Sequence, residues 1–514
     1  MAIETSPLQR IRINVIHEPA VVPMTPRKRD ICLNFGIPPR ESPHVIAENL
    51  DVHLGAGRII LLSGPSGSGK SSVLRHLSDQ LDKPLWVGRS AFPANRPLID
   101  AVAPREKLSV ALEVLTACGL GEPRLWVRRF CDLSDGEKFR ASLARAIGAA
   151  LCNPSPGAIL CDEFTAILHR RAARAIAHNL RKLVTRHGLT LIVATTHDDI
   201  TADLQPDETV RLGGMQPELL AHIPKDRVVS LRRGACIERG SVRDYRTFSP
   251  MHYRNRDGLG FVDKVFLLRE APGKDPLGIL VFAHAPRELA LRNRATEGRF
   301  TRNMRRLNRE LRILRRLVMH PDVRGCGLGH WFVQNTLPLV GVRFIECLAV
   351  MGAVNPVFEK AGMTRIGRCA LPPGRMKLLE RMREMKLDPF APDFHRTIGR
   401  YPRVRELVKK TIRDWVAAMH SGNRYDVECR TPIELSRAFR QLIGDPPMYY
   451  LWDRDEEYPV GEVNQGEHEH LNRTDGNRAR GVIEHIDEHV RDKSRHHPDH
   501  KPQRGRSSRR RDMR

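Results

Sequence analysis

The sequence predicts an α/β protein with two catalytic modules: a parallel-sheet, phosphate-binding domain, then a mixed α+β domain, a helical extension and a disordered basic C-terminal tail. Three observations predict it. The stretch Gly64-Pro65-Ser66-Gly67-Ser68-Gly69-Lys70-Ser71 follows the run RIILLS and leads into the helical spacing of VLRHLSDQL. A second glycine loop, Arg324-Gly325-Cys326-Gly327-Leu328-Gly329, follows ILRRLVMHPDV and leads into HWFVQNTLPLV. A chain of 514 residues is also long for a single hydrophobic core. The expected boundaries are 1–225 for the first domain, 226–375 for the second, 376–460 for the helical extension and 461–514 for the tail.

In the first domain an apolar strand enters a loop whose glycines let backbone N–H groups wrap phosphates, and the helix start that follows adds positive potential. Gly64, Ser66, Gly67 and Gly69 line this loop, and Ser71 and Ser72 open the helix. Lys70 is placed to reach the β- and γ-phosphates, and the Ser71 hydroxyl to bind Mg²⁺. Three further pieces follow in order. Leu133-Ser134-Asp135-Gly136-Glu137 precedes the helical run KFRASLARAIGAAL. Ala158-Ile159-Leu160-Cys161-Asp162-Glu163 is an apolar strand ending in two acids, Asp162 to hold Mg²⁺ and Glu163 to polarise the attacking water. Leu191-Ile192-Val193-Ala194-Thr195-Thr196-His197 is another apolar strand, and its histidine is placed to sense the γ-phosphate.

This set resembles the ABC-type ATPases over residues 30–225. The resemblance implies that Lys70 and Ser71 act in Walker A, Asp162 and Glu163 in Walker B, Ser134 and Gly136 in the signature loop, and His197 as the switch histidine. It also implies a homodimer with ATP sandwiched between protomers, because in that family the signature of one protomer completes the other's site. Two departures stand out. The signature reads LSDGE rather than LSGGQ, and the Q-loop region WVGRSAFPANRPLIDAV has no glutamine. With no run of eighteen apolar residues, nothing is expected to span a bilayer. The N-terminus has no signal-peptide core, and the ten cysteines show no metal spacing. A cytoplasmic protein with reduced thiols is the expectation.

In the second domain RFIECLAV reads as a strand, and Asn355-Pro356-Val357-Phe358-Glu359-Lys360-Ala361-Gly362-Met363 as a helix with a glycine stop. Strand, glycine loop, helix, strand and N-x-x-F-E-K-A-G-M together resemble the GNAT acyltransferases over residues 235–375. The resemblance implies acyl-CoA, in the first instance acetyl-CoA, as donor. Backbone N–H groups at Arg324, Gly325, Gly327 and Gly329 would bind its pyrophosphate. Leu317, Val318 and Met319 would pair with the pantetheine amides, and Asn355 joins the donor-binding set. Phe358 stands where that family carries its general-acid tyrosine. His252 and Tyr253, in Ser249-Pro250-Met251-His252-Tyr253-Arg254, are candidates for base and acid, and Glu346 is another base candidate. MHYR, the glycine loop and NPVFEKAGM are similar to the phage Mom-type branch of the GNAT fold, which modifies adenine in DNA.

Charge points the same way. The chain carries 85 Lys and Arg against 60 Asp and Glu, a formal net charge of +25, which calls for a polyanionic partner. Residues 292–316 hold ten arginines against Glu297 and Glu310. CoA has too few charges to need them, whereas a nucleic-acid backbone does. Arg302, Arg305, Arg306 and Arg309 are the expected nucleic-acid contacts. The patch MYYLWD at 448–453 is expected to dock onto a core, and no chemistry is assigned beyond residue 375. The combined reading is an ATP-hydrolysing enzyme that acylates a nucleic-acid base. The alternatives are an ATP-gated N-acetyltransferase for protein or small molecules, and a non-catalytic nucleic-acid-binding ATPase.

Overall fold

The computed structural model describes residues 8–40, 42–153, 157–214, 216–222, 229–252, 258–370, 374–417 and 427–455. Tyr253 and the basic tail, 461–514, lie outside them. The chain divides into two compact units. One comprises Met1–Asn255, Lys264–Val281 and Arg316–Val340, the other Arg256–Asp263, Phe282–Arg315 and Gly341–Arg514.

The first unit opens with an antiparallel ribbon of β1 (Gln9–His17) and β2 (His44–Leu54), with α1 (Pro26–Phe35) between them in sequence. Its central sheet contains β3 (Ile59–Ser63), β4 (Leu85–Trp86), β5 (Ile159–Cys161), β6 (Leu191–Thr195), β7 (Glu208–Arg211) and β8 (Glu218–Ala221), in the order β4-β5-β6-β3-β7-β8. All neighbours are parallel except β7 and β8. Every residue of β3, β5 and β6 is buried, as parallel strands covered on both faces require. Side chains alternate between two cores. Ile59, Leu61, Leu191 and Val193 pack with α3 (Leu98–Val102), α4 (Leu108–Ala117), α5 (Pro123–Trp126), α6 (Asp135–Leu151) and α7 (Arg170–His187). Ile60, Leu62, Ile192 and Ala194 pack with α2 (Lys70–Asp79) and the ribbon. Truncating one of the isoleucines or leucines among these to Ala costs about 2–5 kcal/mol.

The same unit contains α8 (Thr201–Leu204), the strand β9 (Cys236–Gly240), α9 (Tyr245–Phe248), and most of β10 (Val262–Arg269) and β11 (Pro276–Ala283). β9 and β10 are antiparallel, Gly240 opposite Val265 and Cys236 opposite Arg269.

The second unit carries α10 (Ala290–Ala295), α11 (Met304–Glu310) and the start of β12 (Leu311–Met319). The first unit supplies α12 (Leu328–Thr336), and the second resumes with β13 (Phe344–Ala349), α13 (Val357–Lys360) and β14 (Thr364–Arg368). β12 and β13 are parallel, and their registered pairs run from Leu311↔Phe344 to Leu314↔Cys347, while β12 continues to Met319. After β14 come four helices, α14 (Arg375–Glu384), α15 (Phe394–Arg400), α16 (Pro402–Ala417) and α17 (Pro432–Ile443), closed around Met382, Phe394, Val408, Ile412 and Phe439. MYYLWD is then an inner strand, β15 (Met448–Asp453), antiparallel to both β13 and β14. The helices are therefore inserted between two strands of one sheet, and Tyr449 and Tyr450 are core residues.

Candidate active site

β3 delivers the chain to the first glycine loop in a conformation that only glycines tolerate. Gly64, Gly67 and Gly69 have φ of 144°, 80° and 89°. A Cβ at Gly64 would stand 2.3 Å from the Leu212 carbonyl oxygen, and one at Gly69 2.4 Å from Ile46. Gly69 caps α2 without any side chain, so the first N–H groups of the helix are left for an anion. Lys70 closes the loop from inside, donating from Nζ to the Gly64 carbonyl (2.8 Å) and the Pro65 carbonyl (2.6 Å). Burial pulls the Lys70 ammonium below its ordinary value, and the Asp162 carboxylate opposes that shift. Cradle, cation and acid thus fit a Mg²⁺-nucleotide, with Ser71 in the first helical turn. Ser66 lies in the loop itself.

β5 ends at Cys161, and Asp162 turns the chain by accepting the Glu163 backbone N–H on Oδ1 (3.0 Å). Glu163 and Thr165 both have positive φ, 49° and 67°, strained values for residues with side chains. Thr195, at the end of β6, ties this turn to His197. Its hydroxyl donates to the Phe164 carbonyl (2.9 Å) and accepts the His197 N–H (3.1 Å). Arg170 adds a second tie, donating from Nε to Asp199 (3.0 Å) and from Nη1 to the Thr165 carbonyl (3.4 Å). Sequence reasoning missed Thr195, Arg170 and Asp199; the only signal was the hydroxyl closing an apolar strand.

Ser134 caps α6 in a reciprocal box. Its N–H and its hydroxyl both donate to Glu137 Oε2, at 2.8 and 2.9 Å. The acid that replaces the usual glutamine therefore holds the Ser134 hydroxyl proton. Asp135 is exposed beside Lys138 (3.4 Å), and a Cβ at Gly136 would meet nothing nearer than 3.9 Å. Among the described residues, no hydrogen bond or ion pair joins Ser134 or Gly136 to the Lys70 loop.

The second glycine loop follows β12, whose Val318 and Met319 are buried and Leu317 half-buried. His320 N–H bonds the Leu277 carbonyl (2.8 Å), and the chain turns through Pro321–Val323 into Arg324. Gly325 and Gly327 have φ of 85° and 92°, and Gly327 caps α12, which includes Gly329, again without a side chain. The Arg324 guanidinium is a strut. It donates to the carbonyls of Met319 (3.0 Å), Met251 (2.8 Å) and Gly121 (3.3 Å), so only backbone groups of the loop remain for a ligand.

The AAA ATPase domain family matches residues 46–193. The aliphatic sulfonates import ATP-binding protein SsuB 3 of Pseudomonas savastanoi is 29% identical over 244 residues, 40% of this chain and 86% of that protein. The lipoprotein-releasing system ATP-binding protein LolD of Nitratidesulfovibrio vulgaris is 31% identical over 199 residues, 31% of this chain and 81% of that protein. A dimeric ATP-binding cassette solved with ADP and Pi is 22% identical, covering 36% of this chain and 94% of that one, with a TM-score of 0.29. The chain belongs to the ABC-type ATPases. It hydrolyses ATP, and ATP and Mg²⁺ are the ligands its first site takes.

Beyond the ABC core, the expected residues differ in burial and in partners. Glu346 is fully buried and gripped by Arg292 through both oxygens (2.7 and 2.8 Å), with the Tyr449 hydroxyl donating at 2.9 Å. It is no free base; three hydrogen bonds from two neighbours occupy its oxygens and no solvent reaches it. Burial and the adjoining Glu346 raise the Tyr449 phenol well above its ordinary value. Phe358 packs on Tyr450, rings 5.4 Å apart, and the Tyr450 hydroxyl lies 2.8 Å from Glu359 and 3.1 Å from the Gly352 carbonyl. Asn355 is exposed, its N–H on the Met351 carbonyl (2.9 Å). His252 is half-buried, its N–H on the Ser249 carbonyl (3.2 Å).

The arginine stretch is only partly a cationic surface. Arg299, Arg306 and Arg309 converge on Glu310 (2.9, 3.4 and 2.9 Å), and Arg312 pairs with Asp263 (2.9 Å). Arg316 is buried against the Tyr245 hydroxyl (3.3 Å). Of the four expected contacts, Arg302 and Arg305 are exposed, while Arg306 and Arg309 share a carboxylate. No helix among the described residues is long and apolar enough to cross a membrane.

Proposed function

We propose that this ABC-type ATPase is joined to an acyl-CoA-dependent N-acyltransferase of GNAT type and acts in the modification of nucleic-acid bases. The β12–β13 pair carries the reading. Two parallel strands in register only as far as Leu314↔Cys347, followed by a glycine loop and a helix start, suit a pantetheine chain laid along Leu317–Met319 with its pyrophosphate at Gly325–Gly329. Acetyl-CoA is the simplest donor. An acceptor amine attacks the thioester carbon, the C–S bond breaks, and CoA leaves as thiolate. A backbone N–H of the strand polarises the carbonyl, and His252, with Tyr253 beside it in sequence, is the candidate to take the amine proton.

On this reading the ATPase spans 1–225 and the transferase begins at 226. The transferase keeps β15 as a strand of its sheet, and the inserted helices, apart from the first residue of α14, lie within 376–460. Ser134 and Gly136 complete the ATP site of a second copy, so ATP drives a cytoplasmic homodimer that distorts nucleic acid and exposes a base. Arg302 and Arg305 contact the backbone. The relatives serve import and lipoprotein release, but the missing Q-loop glutamine favours a role apart from a membrane subunit. Mass spectrometry of nucleosides from cells with and without the protein tests the reading. A mass-shifted base that disappears with Gly327→Trp is expected, and identical nucleoside profiles would refute it. The pairing of Arg299, Arg306, Arg309 and Arg312 with acids favours a second reading, an ATP-gated N-acetyltransferase for protein or small molecules. Acetylation of a peptide or polyamine with nucleic acid inert would select it.

A further inference from the structure

Helix α7 serves the ATP site at one end and meets the second glycine loop along its length. At its N-terminus Arg170 braces the turn that carries Glu163 and the segment after His197. One stripe of the helix then faces other elements of the same unit. Arg174 and Arg171 reach Glu270, beside the β10–β11 turn, at 2.6 and 3.7 Å. Two turns on, Asn179 donates from Nδ2 to the Arg324 carbonyl (3.4 Å), and a Cβ at Gly325 would stand 3.1 Å from that nitrogen and 3.0 Å from Thr116 of α4. Lys182 Nζ lies 3.7 Å from the position a Gly327 Cβ would take. The ATPase thus packs its own cation against the helix start that would receive an anion.

Asn179 is a second, independent sign of a ligand. It is only 3% exposed, its amide nitrogen is turned onto the loop, and its buried Oδ1 has no hydrogen-bond partner among the described residues. A buried acceptor without a donor is unusual and calls for a polar group from outside the present contacts. The amides and hydroxyls of a pantetheine phosphate offer such donors.

We infer that the phosphate site at Arg324–Gly329 is composite: α7 lends it Lys182, and through α7 the nucleotide state sets its affinity. This rests on the reading of that loop as a CoA site. Nothing in either glycine motif requires the other, so the coupling is a property of this fusion. Linkage makes it reciprocal: CoA must change ATP affinity by the factor by which ATP changes CoA affinity.

Calorimetric titration of CoA into the full chain tests the inference. Lys182→Ala is expected to weaken CoA binding about tenfold, the loss of one charge-assisted contact, with Lys182→Arg restoring most of it. Unchanged melting temperatures serve as the fold control. Mg²⁺ with a slowly hydrolysed ATP analogue is expected to change the CoA Kd about fivefold or more, and Asn179→Ala to shrink that ratio. If CoA binds but ignores the analogue, or ignores Lys182→Ala, the composite site is overturned and the donor-site reading stands. If CoA binds in no condition, both fall.

Discussion

Replacing Arg292 by Met should be among the most damaging single changes in the second unit. Arg292 and Glu346 are both fully buried, their two hydrogen bonds are 2.7 and 2.8 Å, and Tyr449 completes the carboxylate at 2.9 Å. Removing the guanidinium strands a carboxylate where water cannot reach it, at a cost of about 3–5 kcal/mol. Tyr449→Phe removes one hydrogen bond to a charged group, about 1.5–3 kcal/mol. The double variant Arg292→Met with Glu346→Leu removes both charges and refills the volume, so stability should return to within about 1 kcal/mol of the parent. Urea denaturation followed by far-ultraviolet circular dichroism reads all three. The double variant must be more stable than Arg292→Met alone. A double variant as damaged as the single one, or an Arg292→Met loss below about 1 kcal/mol, would show that the triad is not the dry ion pair its geometry describes.

Glu163→Gln and Lys70→Ala should each abolish phosphate release, and Glu163→Gln should still bind ATP; turnover at the parental rate would refute the roles given to the two residues. Removing the carboxylates at the start of α6, with Asp135→Gly and Glu137→Gln together, should lower the KM for ATP. Gln preserves the capping box, so the helix should lose less than about 1 kcal/mol, read by thermal melting. His178 is held near pKa 4 by burial, reinforced by Lys182. Its folded value lies below the unfolded one of about 6.5, so the unfolded chain alone binds a proton between them. Its contribution is therefore complete above about pH 6.5 and lost as the pH falls toward 4, about 2 kcal/mol by pH 5. His178→Leu should flatten that part of the urea-stability profile, and parallel profiles would contradict it. On the proposed nucleic-acid reading, Arg302→Ser with Arg305→Ser should reduce the salt dependence of nucleic-acid binding by about two units of log–log slope. Arg309→Ser should do less, because Glu310 already shares its charge.

The first site was legible because its chemistry is local. Gly64 through Ser71 build the loop from consecutive residues, and the run RIILLS announces the buried strand that presents it. Asp162 and Glu163 follow one apolar run and His197 another, so each candidate side chain sits one or two residues beyond a buried strand. Hidden from the sequence was the cross-bracing by Thr195, Arg170 and Asp199. A threonine at the end of a strand and an arginine at a helix start are ordinary in isolation, and only the fold sets them against the Glu163 turn. β15 was harder still, because MYYLWD completes its sheet across four intervening helices. An apolar patch says that a segment will be buried, not which strands it will join.

The arginine stretch shows why a charge count is a poor map of a surface. Ten arginines against two acids look like an open cationic face when only neighbours in sequence are weighed. Three of the acceptors that decide the matter are remote. Glu346 is 54 residues from Arg292, Asp263 is 49 from Arg312, and Tyr245 is 71 from Arg316. The acid nearest in sequence, Glu310, absorbs three arginines at once. An arginine drawn into the core must bring its own partner, because an unpaired buried charge is among the costliest groups a fold can carry. On the proposed nucleic-acid reading, affinity should therefore follow Arg302 and Arg305, which the fold leaves exposed, far more closely than it follows the number of arginines in the stretch.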